Sequence, residues 1–224
     1  MTTFLLAFTA FFSIVNPLSG AFIFFGATQG FEPRLRARVS RWVAIYAFAI
    51  ITFSLYVGAY VLSFFGISLP VLQVAGGFTI AMSGWHMLSG PDATEQRRTE
   101  TASAVHAHTP ASRLAFYPLT MPLTTGPGTI SVAISLGANR PNGFAEPWLW
   151  FFVQTVLAVG LLCLAVYVLY RHAARIARAI GATGTVIVMR LSAFLLFCIG
   201  IQVLWNGAAL LLSTLLAGDR AHLT

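Results

Sequence analysis

The chain alternates between long apolar runs and short polar segments. Residues 1–31, 42–91, 114–139, 147–170 and 191–218 carry no charged side chain. A helix needs roughly 20 apolar residues to cross the hydrocarbon of a bilayer. The second run spans 50 residues, long enough for two crossings, and "FFGISLP" (64–70) cuts it with the Gly, Ser and Pro of a tight turn. The pattern predicts an all-α membrane protein with six transmembrane helices.

The polar segments divide these helices. Residues 91–113, "PDATEQRRTETASAVHAHTPASR", are rich in Ala, Thr and Ser and poor in large apolar groups. They read as a cytoplasmic linker between a first three-helix repeat, residues 1–90, and a second, residues 114–218. The halves correspond. Asn16-Pro17 in the first helix matches Gly126-Pro127 in the fourth at an offset of 110, and Gly77 and Gly84 in the third match Ala193 and Gly200 in the sixth at an offset of 116. Gly207 continues the seven-residue spacing, and "GWHML" (84–88) lies over "GIQVL" (200–204). Each half has three helices, an odd number, so the second enters the membrane from the opposite side. That is an inverted-topology repeat, a plan of secondary transporters. The glycine stripes need no role beyond packing, because small residues let helix backbones approach closely in lipid.

Two of the six helices are interrupted. In "SIVNPLSGAF" (13–22) Pro17 lacks an N–H and clashes with the preceding turn, which breaks the helix near its middle. An unsatisfied backbone group in hydrocarbon costs several kcal/mol, so such a break is buried in protein or lines a wet cavity. Asn16, Ser19 and Gly20 suit a cavity, offering an amide, a hydroxyl and open backbone. The fourth helix, "PLTMPLTTGPGTISVAI" (118–134), repeats the device with Pro118, Pro122 and Pro127 among Thr120, Thr124, Thr125, Gly126, Gly128 and Thr129. Residues after Pro127 are placed to start a half-helix whose free N–H groups would receive a carboxylate. Asn16 and Thr125 are expected to face each other, with Gly126 and Gly128 exposing backbone. The bland alternative is a pair of proline kinks whose loose carbonyls are satisfied by Ser and Thr. A matched pair of interrupted helices in two halves favours the binding site.

Composition agrees: 58% of the 224 residues are hydrophobic, only 8% are charged and mean hydropathy is +0.81, against about 25% charged residues in soluble domains. The net charge of +7 comes from 13 basic residues, all Arg, and it is not a nucleic-acid footprint. Residues 32–41 hold four Arg, 91–113 three and 171–178 three, against Arg140 and Arg220 in the other loops and tail, with Arg190 at a helix start and left out of the count. With the Arg-rich segments cytoplasmic, ten Arg lie inside and two outside, so both termini face the periplasm. Arg36 and Arg38 are read as setting topology. All six acidic residues lie outside the apolar runs. A carboxylate proton pump, a carboxylate metal site and an intramembrane aspartyl protease therefore lack their key group. If an ion is coupled, Na⁺ on carbonyls and Thr hydroxyls fits better than H⁺ on Asp or Glu, and uncoupled facilitation fits as well. No cofactor and no metal is implied; His106 and His108 read as solvated linker residues. Cys163 and Cys198 read as inert packing residues.

"VNPLSG" (15–20), "LPVLQVAGG" (69–77), "FYPLTMPLTTGPGTISVAI" (116–134) and "VMRLSAFLLFCIGIQVLWNG" (188–207) resemble the MarC family of six-helix membrane proteins. The resemblance covers nearly the whole chain. It implies an inner-membrane protein of two inverted repeats, related to a transporter of small neutral amino acids such as glycine and alanine. It puts the site at the two broken helices, here residues 16–20 and 124–129: Asn16, Pro17, Ser19, Gly20, Thr124, Thr125, Gly126, Gly128 and Thr129. The sequence departs from the family at Ser19-Gly20, where the family more often has Gly directly after "NPL".

The function expected is secondary transport of a small polar solute, with lipid and solute as the only partners implied and the oligomeric state open. The alternatives are a channel or scaffold, and an intramembrane serine protease built on Ser83 and His86. A channel needs a continuous polar stripe that the helices lack. Three residues on one helix end is poor geometry for a Ser-His pair, so the chain is not read as an enzyme. Trp42, Trp148 and Trp150 fit an aromatic belt, Arg190 a helix start, and Gln73 and Gln202 interhelical hydrogen bonds.

Overall fold

The computed structural model describes residues 2–28, 31–89, 111–139 and 146–221, and among them there is no strand. Eight helical segments follow: α1 (Thr2–Val15), α2 (Pro17–Ala27), α3 (Pro33–Phe64), α4 (Leu69–Leu88), α5 (Ala111–Leu114), α6 (Ala115–Thr124, wound in the wider π form), α7 (Pro127–Ala138) and α8 (Glu146–Ala221). The linker expected at 91–113 lies almost wholly outside the described residues, together with His106, His108 and Arg140.

Among the described residues four stretches are long and apolar enough to cross a membrane: Thr3–Ala27, Pro33–Phe64, Leu149–Gly181 and Thr183–Thr214. Six were expected. The difference has a physical source in the other two. Helix α4 has 20 residues but is diluted by Gln73, Gly76, Gly77, Gly84 and His86, and α7 has only 12 residues after the break at Gly126. The last two spans belong to one helical run, α8, turned at Gly181. Gly181 has φ 75 and ψ 174, a region that only glycine occupies readily. The helices run on through the Arg-bearing segment, so Arg190 lies about two turns inside its helix with its side chain exposed.

The turn at "FFGISLP" is a Schellman motif. Gly66 takes φ 68, the Gly66 N–H donates to Ser63 O at 3.1 Å and the Ile67 N–H donates to Leu62 O at 2.9 Å.

One core stripe on α3 recurs every fourth residue, Val43, Ala47, Ile51 and Leu55, and packs with Ala158, Val159, Leu162 and Val166 of α8. The opposite faces, with Phe53, Leu157, Leu164 and Leu191 exposed, suit lipid. The glycine stripes of α4 and α8 face each other. A Cβ at Gly77 would lie 2.7 Å from Gly200 O, one at Gly84 2.8 Å from Ala193 O, and one at Gly207 2.7 Å from Pro70 O. The glutamines behave otherwise than expected. Gln202 Nε2 donates to Asn206 Oδ1 on its own helix at 2.9 Å, and Gln73 Oε1 is buried with no partner among the described residues.

Arg36 does more than bias topology. Thr28 ends α2, and the Arg36 guanidinium donates to Thr28 O at 2.6 Å and to Thr28 Oγ1 at 3.2 Å. It also lies 5.5 Å over the Phe25 ring. A cation on the last carbonyls of a helix stabilises it by about 0.3–1 kcal/mol, and more when partly buried. Arg38 is exposed. Arg36→Gln is therefore expected to lower the thermal unfolding midpoint of detergent-purified protein by a few degrees, while Arg38→Gln leaves it unchanged. Equal midpoints for the two variants would remove Arg36 from the cap.

Candidate functional site

The first break is built by Asn16. Pro17 cannot extend α1, so the residue before it must end one helix and open the next. Asn16 sits in the left-handed region at φ 46, ψ 61, which Asn tolerates better than most side chains. Its N–H closes α1 on Phe12 O at 3.0 Å, and its carbonyl accepts the Gly20 N–H at 3.0 Å to start α2. Asn16 Oδ1 accepts the Ser19 N–H at 3.4 Å. Pro17 occupies the first turn of α2, where its missing N–H costs nothing.

The second break is built by prolines and threonines. Tyr117 and Met121 precede prolines and are extended, at φ −128, ψ 126 and φ −105, ψ 125, as the proline ring requires. The freed carbonyls are recovered by hydroxyls five residues on. Thr120 Oγ1 donates to Ala115 O at 2.6 Å, Thr124 Oγ1 to Leu119 O at 2.8 Å and Thr125 Oγ1 to Thr120 O at 3.2 Å. So the carbonyl side of the kink is satisfied locally. The amide side is not closed in the same way: α7 starts at Pro127 with Gly126 as its cap and no capping side chain, leaving the first-turn N–H groups of Gly128 and Thr129 as end groups.

Between the breaks lies a cavity of about 390 Å³, lined from α1, α2, α4, α6, α7 and the second span of α8. Of the residues expected at the site, Asn16, Ser19, Gly20, Thr124, Gly126, Gly128 and Thr129 line it; Pro17 and Thr125 do not. Thr125 is fully buried with its hydroxyl on Thr120 O, so it does not face Asn16 across the cavity as expected; Thr124 lines the cavity in its place. No lining side chain carries a charge. The two half-helices correspond position by position: Asn16 and Gly126 cap, Pro17 and Pro127 open, and Ser19 and Thr129 place hydroxyls on the third residue. Ser19 is 2% exposed, and its Oγ has no partner among the described residues.

Two glycines serve neighbours as well as the cavity. A Cβ at Gly20 would lie 3.2 Å from Tyr170 Cζ and overlap the phenol oxygen, and a Cβ at Gly128 would overlap Ile80. Tyr170 escaped the sequence reading. It is fully buried, stacks on Phe24 at 4.7 Å and places its hydroxyl 3.0 Å from Thr124 Oγ1. Thr124 gives its one proton to Leu119 O, so the Tyr170 O–H donates to Thr124. In sequence Tyr170 ends an apolar run beside Arg171 and looks interfacial; nothing local marks it. Ser83 lines the cavity, whereas His86 is exposed and does not, so the Ser-His pair is not assembled there.

The family model of the MarC family integral membrane protein matches residues 1–212. The chain belongs to the MarC family. Relatives include the inner membrane protein MarC of Salmonella typhimurium (strain LT2), 34% identical over 207 residues, 90% of this chain and 91% of the relative. MarC of Citrobacter koseri is 34% identical over 206 residues and MarC of Escherichia coli O1:K1 is 33% identical over 210, each spanning 90% of this chain and 91% of the relative. No solved structure matches the chain. Both MarC breaks fall inside the matched region, as do Ser19, Thr124 and Tyr170.

Proposed function

We propose that this MarC protein is a secondary transporter of the inner membrane for a small, net-neutral polar solute, a neutral amino acid, bound between the two broken segments. One observation carries the reading. Three helix ends meet one cavity that has no charged side chain. The N-termini of α2 and α7 bring partial positive charge, and the C-terminus of α1 brings partial negative charge. A zwitterion presents one charge to each kind of end, whereas a lone anion or cation satisfies only one. Discontinuous helices meeting at a binding site are a transporter device, and a purely structural protein would not need two of them.

The six-crossing, inverted-repeat reading supports this function. We count α1 with α2 as one crossing and α5 to α7 as another, which brings the number to six, and the paired caps at Asn16 and Gly126 repeat in order. An even number of crossings puts both termini on one side, and the Arg bias toward residues 32–41, 91–113 and 171–178 makes that side the periplasm on this reading. A C-terminal alkaline phosphatase fusion is expected to be active and a C-terminal fluorescent-protein fusion dark; the reverse pattern would overturn the topology.

Calorimetric titration tests the site. Purified protein is expected to bind a neutral amino acid but neither the amine that lacks its carboxylate nor the acid that lacks its ammonium. Equal binding of either fragment, or no binding of any neutral amino acid, contradicts the proposal.

A further inference from the structure

The cavity is also lined by apolar side chains that a head group leaves unused. Ile23, Ile80, Met87 and Leu196 all line it, and all four belong to one buried apolar cluster. They come from α2, α4 and the second span of α8. A volume of about 390 Å³ corresponds to roughly thirteen waters at ~30 Å³ each. The head group of an amino acid, with its α-carbon, takes the place of only a few of these. Water left against an apolar wall is unfavourable, and filling that space with hydrocarbon recovers the burial of both surfaces. The family resemblance points to glycine and alanine; the wall of this cavity does not.

We infer that the preferred solute is a neutral α-amino acid with an aliphatic side chain larger than methyl, of the size of leucine or methionine. This rests on the transport reading of the same site. Its carboxylate and ammonium lie at the half-helix ends by Asn16, Ser19, Gly126 and Thr129, and its side chain lies against Ile23, Ile80, Met87 and Leu196. Ser83, half-buried on α4 and lining the cavity, sets the room available beside that wall. It makes no side-chain hydrogen bond among the described residues, so it can be enlarged without breaking one.

The test is a titration series of glycine, alanine, valine, leucine and methionine on the full-length protein, followed by binding and by ligand-induced thermal stabilisation. One methylene in a fitted apolar pocket changes affinity about tenfold or more. Leucine or methionine is therefore expected to bind at least ten times more tightly than alanine, and glycine most weakly. Ser83→Phe is expected to remove this advantage while alanine still binds. Because enlargement could disturb folding, Ser83→Val serves as a second variant, with a smaller fall in the leucine-to-alanine ratio. Alanine or glycine binding as tightly as leucine, or an unchanged ratio in folded Ser83→Phe and Ser83→Val, overturns the inference and leaves the transport reading standing. If no neutral amino acid binds, both fall together.

Discussion

Asn16→Ala is expected to lose ligand binding altogether and to destabilise the protein. Two costs combine in it. Alanine in the left-handed region occupied by Asn16 (φ 46) costs about 1–2 kcal/mol. Loss of the Oδ1 cap on the Ser19 N–H costs about 1 kcal/mol more. Asn16→Gly separates the backbone role from the side-chain role. Glycine adopts the same φ without strain and replaces a capping Asn at a cost of only a few tenths of a kcal/mol. Its thermal midpoint should stay near wild type, while affinity falls by the 1–3 kcal/mol typical of a lost buried polar partner. Thermal unfolding and amino-acid titration of both variants decide this. Wild-type affinity in Asn16→Gly would show that the carboxamide has only a structural role.

The other large effect is expected at Gly137→Ala. A Cβ there would overlap the carbonyl oxygen of Leu55 and come within 2.7 Å of its carbonyl carbon. The obstacle is backbone, so no rotamer change relieves it, and α3 and α7 must separate. Overpacking costs about 1–3 kcal/mol, and a rigid neighbour puts this variant at the upper end. Gly160→Ala is the control, because a Cβ there meets nothing within 4 Å and alanine is the better helix former by up to about 1 kcal/mol. A large fall in the unfolding midpoint for Gly137→Ala, with none for Gly160→Ala, is the expected result. Equal midpoints would mean that α3 and α7 are not in backbone contact.

The parts legible in the sequence were those that depend on local chemistry. Pro17 and Pro127 announce the breaks because a missing N–H has the same consequence wherever it occurs. Gly66 announces a turn, and the seven-residue glycine stripes announce a close helix pair. Tertiary assignments were less legible. Gly20 reads as open backbone, yet it also accommodates Tyr170, which lies 150 residues further on. Arg36 reads as a topology marker until Thr28 is found beneath its guanidinium. Thr124 and Thr125 are interchangeable in sequence; the π-wound turn sends one hydroxyl toward Tyr170 and the other onto Thr120. The expected count of six spans is not matched among the described residues, because packing glycines dilute the apolar signal of α4 and the break at Gly126 leaves α7 only 12 residues.

The central claim is that the cavity between the broken segments carries a neutral amino acid across the membrane. Counterflow in proteoliposomes tests it most directly: vesicles loaded with unlabelled leucine or alanine are diluted into the labelled compound. Saturable accumulation above empty liposomes is predicted for the wild type, with none for Gly128→Val, whose Cβ would overlap the Ile80 side chain where both residues line the cavity. Absence of counterflow with every neutral amino acid, or full counterflow in correctly folded Gly128→Val, would contradict the account.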